Sequence, residues 1–175
     1  PGHSQGEPDR FSNHATKPAA TRFLIPANPA ERIDFGNPTN TLSGVTLGVL
    51  PNTTTATFLE NRYPDATIVY FDGVEGREQG VQAVADGAIA AFAGDDILTI
   101  GEVNQLGLDP SAFRLVPELP LTCEFYGVLL PEGDDDWRRT VNQFITTFNE
   151  GQTLGRWFRD LSSVELNNLQ NCLNR

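Results

Sequence analysis

VTLGVLPNTTTATFLE, residues 45–60, is the stretch from which the rest of the chain is read. Residues 45–50 form a mainly apolar run rich in β-branched side chains, the composition of a buried strand. Pro51 and Asn52 stop it. Thr53, Thr54 and Thr55 then lead into Ala56, Phe58, Leu59 and Glu60, the first turns of a helix. A strand feeding a polar turn that opens a helix leaves several backbone N–H groups without helical partners, aimed at one spot. The positive end of the helix dipole adds to them, so the spot favours a carboxylate or phosphate. Two readings stay open: this turn is half of a ligand site, or Asn52 or Thr53 simply caps a helix.

The whole chain sets bounds. Its 175 residues suit one domain, or one domain and a tail. At 39% hydrophobic residues it can bury a core, and no apolar run is long enough to span a membrane. Lys and Arg number 12 against 23 Asp and Glu, a formal charge of −11. That balance repels nucleic acid and anionic lipid, and no basic cluster reverses it locally. An anionic small ligand stays compatible, because a backbone nest acts at short range. The chain has no Met and opens at Pro1, which reads as a processed or cloned start. Cys123 and Cys172 fit one disulfide in an exported protein or two thiols in a cytosolic one. No Cys or His spacing suggests zinc, and both histidines, His3 and His14, fall in the polar opening. No cofactor and no metal is implied.

Outward from the opening stretch, residues 1–20 read as a flexible leader or linker. Residues 21–25 (TRFLI) form a short strand, and residues 26–43, with three prolines, a long loop. Residues 67–71 (TIVYF) make a second buried strand. A short helix over residues 74–86 places Val74, Val81, Val84 and Ala85 on one face and closes at Gly87. Residues 88–93 (AIAAFA) form a third strand, with Gly94, Asp95 and Asp96 at its carboxyl end. A helix then carries Ile97, Leu98, Ile100, Val103 and Leu106 and stops at Gly107. Residues 113–116 form a short strand and residues 124–130 (EFYGVLL) a stronger one.

From Asp134 the pattern turns helical. Trp137, Val141, Phe144, Ile145 and Phe148 recur at helical spacing behind Asp134, Asp135 and Asp136, whose charge suits a helix start. Those aspartates lack the alternating spacing and glycine of a calcium loop. Two further helices follow, around Leu154 to Leu161 and Val164 to Leu173. Strands alternating with helices predict an α/β fold: a mixed, mostly parallel sheet with helices on both faces, over residues 21–131. The helical segment, residues 132–175, follows it.

In such sheets ligands sit outside the carboxyl ends of the strands, where Asn52, Thr53, Thr54 and Asp95 all fall. A nest of amides and a carboxylate on one rim can grip a zwitterion, the nest taking its carboxylate and Asp95 its ammonium. Taken alone, Asp95 reads as a helix N-cap.

The order of these pieces resembles one lobe of the type II periplasmic solute-binding proteins, in the branch that binds polar amino acids and is related to ionotropic glutamate receptor ligand cores. Thr53 and Thr54 match that family's carboxylate-binding turn, with Asn52 in place of the usual glycine. Asn tolerates the left-handed conformation such a turn needs. ADGAIAAFAGDD (residues 85–96) resembles the family's strand that ends in a ligand-binding Asp, here Asp95. EFYGVLLPEGDDDWRRTVNQFI (residues 124–145) is similar to the returning hinge strand and its helix, and EGQTLGRWF (residues 150–158) to the closing motif.

The resemblance implies the family's second lobe plus its C-terminal helices, with residues 1–20 too few to build a first lobe. It also implies that Cys123 and Cys172 pair, as the tail disulfide of glutamate receptor cores does. The function implied is non-enzymatic: binding a polar amino acid for a transporter of the ABC class, in a periplasmic or extracellular setting. The partners are that amino acid, a first lobe or a second copy of the chain, and a membrane transporter or receptor. Alternatives are the sensor domain of a receptor or channel, and a lobe that dimerises by exchanging its helical segment. An enzyme akin to cyclohexadienyl dehydratase, with Asp95 or Glu124 as acid, is disfavoured by the missing nucleophile–base pair.

Overall fold

The protein is described by a computed structural model over residues 18–29, 32–147 and 172. His3 and His14, Phe148, and the two helices expected after residue 151 lie outside the described residues.

Six strands build one sheet: β1 (Pro18–Pro26), β2 (Thr46–Val49), β3 (Thr67–Tyr70), β4 (Ala91–Asp95), β5 (Phe113–Val116) and β6 (Thr122–Phe125). Their order is β3-β2-β4-β1-β5, with β6 also on β1. β2 pairs in parallel with β3 and β4, and β1 pairs antiparallel with β4, β5 and β6. Five strands therefore run one way and β1 alone opposes them, the mixed, mostly parallel sheet expected. At 9 residues β1 is long enough to hold two partners on one edge. Its first half pairs with β6, Thr21 opposite Thr122. Its second half pairs with β5, Phe23 opposite Val116.

Side chains alternate across this sheet as the period of a strand requires. Phe23, Ile25, Leu47, Val49, Ala91 and Ala93 point to one face, where Ala56, Leu59 and Tyr63 of helix α1 (Thr54–Arg62) close the core. Leu24 and Phe92 point to the other, under Val81 and Val84 of α2 (Gly76–Ala85) and Ile100 and Val103 of α3 (Asp96–Gln105). Helices thus cover both faces. The loop after β1 joins the first core, burying Phe35 against Phe23 at 4.7 Å between ring centroids, together with Leu42. A loop that buries two large apolar residues is packed structure, not a surface connection.

Several boundaries differ from the sequence reading, each for a physical reason. β1 starts at Pro18 and so takes in the last residues of the expected leader; its ladder to β6 holds Ala19 and Ala20, which have little strand preference of their own. β3 is half-exposed rather than buried, because it is the sheet's edge. The third strand lies at Ala91–Asp95, since Ala88 and Ile89 turn back to Ala83 O and close the preceding helix. Val74 precedes α2 and is fully solvated, and Ala85 is exposed, leaving Val81 and Val84 as the buried face. β6 is earlier and shorter than residues 124–130, ending where its β1 partner runs out at Pro18.

α4 (Asp135–Thr147) follows as expected. Asp134 Oδ1 accepts from Trp137 N at 2.8 Å, Asp135 pairs with Arg138 at 2.8 Å, and Asp136 pairs with Arg139. The three aspartates therefore start a helix. None of its residues is buried, and Trp137 is 49% exposed. Cys123 in β6 is joined to Cys172, Cα atoms 5.7 Å apart. Among the described residues no helix is long and apolar enough to cross a membrane.

Candidate functional site

Asn52 sits in the left-handed region, φ 57°, and turns the chain from β2 into α1. That turn sets Thr53 in an extended conformation as the helix N-cap. The Thr53 hydroxyl donates to Leu50 O at 2.9 Å and accepts from Ala56 N at 3.1 Å, tying strand end to helix start. Thr57 N donates to Thr53 O at 3.2 Å. The amides of Thr54 and Thr55 have no hydrogen-bond partner among the described residues. Two donors at the positive end of a helix dipole are what an anion needs. The capping reading of this turn holds for Thr53, and capping leaves the next two amides open.

Asp95 ends β4 and caps α3, its Oδ1 accepting from Ile97 N at 3.1 Å and Leu98 N at 3.3 Å. The other oxygen, Oδ2, accepts from the Tyr126 hydroxyl. Burial first, then the bond to Asp95 and its charge, push the Tyr126 phenol well above its ordinary value, against a smaller opposing pull from Arg77. Beneath Asp95, Asp96 is fully buried and pairs with Arg22 of β1, Nε to Oδ2 3.5 Å. Desolvation lowers the Arg22 pKa, with the charge of Asp96 raising it in part. The Thr99 hydroxyl is buried nearby without a hydrogen-bond partner among the described residues.

These ends enclose a cleft of about 220 Å³. Thr53, Thr54 and Asp95 line it together with Arg77, Glu124 and Tyr126. Asn52 shapes the turn but does not line the cleft. The Thr54 hydroxyl donates to Glu124 Oε2 at 3.0 Å, joining the α1 terminus to β6. On the floor, Thr122 Oγ1 donates to Thr21 Oγ1 at 2.8 Å, and Thr21 meets Thr55 Oγ1 at 3.3 Å. Sequence reasoning missed Tyr126 and Arg77. Ending β6 at Phe125 puts Tyr126 just past a strand's carboxyl end, the signal that would have found it. Arg77 carried a signal too: a cation in the first turn of α2 opposes the helix dipole. A second hollow of about 350 Å³, lined by no charged residue, lies by Phe35, Val45 and Ile89 at the amino ends of β2 and β4. Among the described residues no group of three His, Cys, Asp or Glu is placed to hold a metal.

No protein-family model and no curated protein matches the chain. Solved structures do. A putative binding component of an ABC transporter from Wolinella succinogenes, complexed with lysine, matches at 18% identity with a TM-score of 0.66, over 89% of this chain and 65% of its own. An ancestral amino acid-binding protein, a precursor of cyclohexadienyl dehydratase, matches at 20% identity with a TM-score of 0.63, over 85% and 60%. The ligand-binding core of a glutamate receptor from Nostoc punctiforme, in complex with L-glutamate, matches at 19% identity with a TM-score of 0.61, over 85% and 64%. The structural neighbours are type II periplasmic amino-acid-binding proteins and their kin, and this chain has their fold, as the resemblance implied. It spans 60–65% of the length of these three.

Proposed function

We propose that the protein is a non-catalytic recognition lobe whose cleft binds a polar amino acid. One observation carries the reading: the open amides of Thr54 and Thr55 and the carboxylate of Asp95 line the same cleft at the strands' carboxyl ends. An amino acid carries complementary charges, with its α-carboxylate on the α1 terminus and its ammonium on Asp95. The ammonium would replace the Tyr126 hydroxyl on Oδ2, which supports Asp95 as an acceptor of adaptable partners. Asn52 serves through its backbone, and Thr53 by holding the helix end in place.

The setting that fits is periplasmic or extracellular, with delivery to a membrane transporter of the ABC class as the role and a receptor's sensor domain as the alternative. A second wall closing over the cleft belongs to the same proposal, since affinity comes from burying a ligand on all sides. The exposed Trp137 on α4 supports a partner lobe or a second copy on that side. Catalysis is disfavoured because the cleft's acids are already engaged, Asp95 by two amides and a phenol and Glu124 by Thr54.

Asp95→Asn and Thr54→Val test the reading by calorimetry. Asn keeps the helix cap and removes the charge. Loss of one charge-assisted bond, about 1.5–3 kcal/mol, predicts roughly ten- to hundredfold weaker amino-acid binding for Asp95→Asn. Thr54→Val removes the strut to Glu124 and is expected to weaken binding less. Unchanged affinity in both variants would refute these roles.

A further inference from the structure

Three charged side chains line the cleft: Asp95, Glu124 and Arg77. Asp95 accepts three hydrogen bonds within the protein, and Glu124 accepts one, from Thr54 at Oε2. Arg77 alone among them makes no hydrogen bond and no ion pair among the described residues. Its placement is specific. Gly94 in β4 has no side chain, and an Arg77 guanidinium nitrogen lies 3.7 Å from where a Cβ on that residue would stand. The guanidinium therefore lies at van der Waals distance from β4 at Gly94, beside the cleft that both residues line. Its position also works against local stability, because a cation in the first turn of α2 faces the positive end of that helix. In a chain of net charge −11, carboxylates to neutralise it are plentiful, with Glu75 and Glu78 close in sequence, yet none forms an ion pair with it among the described residues.

We infer that Arg77 is a specificity residue: the ligand of this cleft carries a second anionic group, which the Arg77 guanidinium receives. The inference rests on the amino-acid reading of the cleft and deepens it. With the α-carboxylate on the α1 terminus and the ammonium on Asp95, the side chain is what remains to meet Arg77. An acidic side chain, a carboxylate on a short flexible stem, supplies the missing partner. A planar guanidinium favours a carboxylate over a neutral amide, because the carboxylate accepts two parallel bonds with full charge. A cationic side chain would meet Arg77 with like charge, and Asp95 would already hold the ligand's ammonium.

Calorimetric titration of the chain with L-glutamate, L-aspartate, L-glutamine, L-arginine and L-lysine tests this, alongside Arg77→Gln and Arg77→Lys. The expected result is an acidic amino acid bound at least about tenfold more tightly than glutamine, the measure of one charge-assisted bond. Arg77→Gln should collapse that preference, and Arg77→Lys should restore part of it as a point charge. Thermal melts of both variants separate this from misfolding. Glutamine, arginine or lysine binding as tightly as the acids, with the order unchanged in Arg77→Gln, would overturn the inference and leave the amino-acid reading standing. Binding of none of the five would overturn both.

Discussion

Tyr126 shows how one side chain can report on the whole cleft. Its hydroxyl donates to Asp95, and burial with that contact favours the neutral phenol. The other two tyrosines shift the same way for different reasons. Burial raises Tyr63, partly offset by Arg62, and the hydrogen bond from Tyr70 to Glu60 raises Tyr70. In the unfolded chain all three release their protons near the free phenol value, about 10. Above that value the folded state holds more protons than the unfolded one, so the tyrosines' contribution to stability is full below about pH 10 and is lost as pH rises above it. Ultraviolet titration of tyrosinate should find no phenol ionising at the free value while the protein remains folded. A native tyrosine titrating there would contradict the described contacts. Thr53 and Asp95 were legible as caps because capping is local chemistry, settled by the next three residues. Arg77 and Tyr126 were not, because their meeting at Gly94 and Asp95 depends on α2 packing on β4 and β6 pairing with β1.

At the scale of elements, alternation decided what could be read. β5 and α3 fall where the sequence pattern puts them, with a 3-10 turn (Pro110–Ala112) leading into β5. Edge and centre could not be told apart from composition, so β3 was expected buried. The contact between α2 and the sheet turns on two glycines. A Cβ on Gly80 would stand 2.2 Å from the Phe92 ring, and one on Gly48 would meet the same ring at 3.1 Å. Phe92 is fully buried among Leu24, Val81, Val84 and Val103, so it has nowhere to go. Gly80→Ala would raise helix propensity by about 1 kcal/mol. Overpacking in a full core costs about 1–3 kcal/mol and should win. Chemical denaturation should therefore show a net loss. A variant as stable as the parent would mean that α2 stands farther from the sheet than described.

At the scale of the molecule, the five strands that run together bring their carboxyl ends to one rim. There the turn after β2, the last residue of β4 and the residue after β6 surround one cleft. Strand–helix alternation made that rim predictable. The second wall proposed to close over it was not, because a wall outside this sheet leaves no mark on the sheet's own pattern. Cys123 in β6, bonded to Cys172, holds that residue beside the sheet. Under the proposal that a second wall completes the site, the chain should bind weakly without it, in a range that amide NMR reads well. The deciding measurement is a set of backbone amide spectra of the isotope-labelled chain, titrated with the amino-acid panel. Saturable shifts at Thr54, Thr55, Asp95 and Tyr126 are the expected result. Shifts confined to the apolar hollow by Phe35, Val45 and Ile89, or none with any amino acid, would contradict the assignment of the cleft.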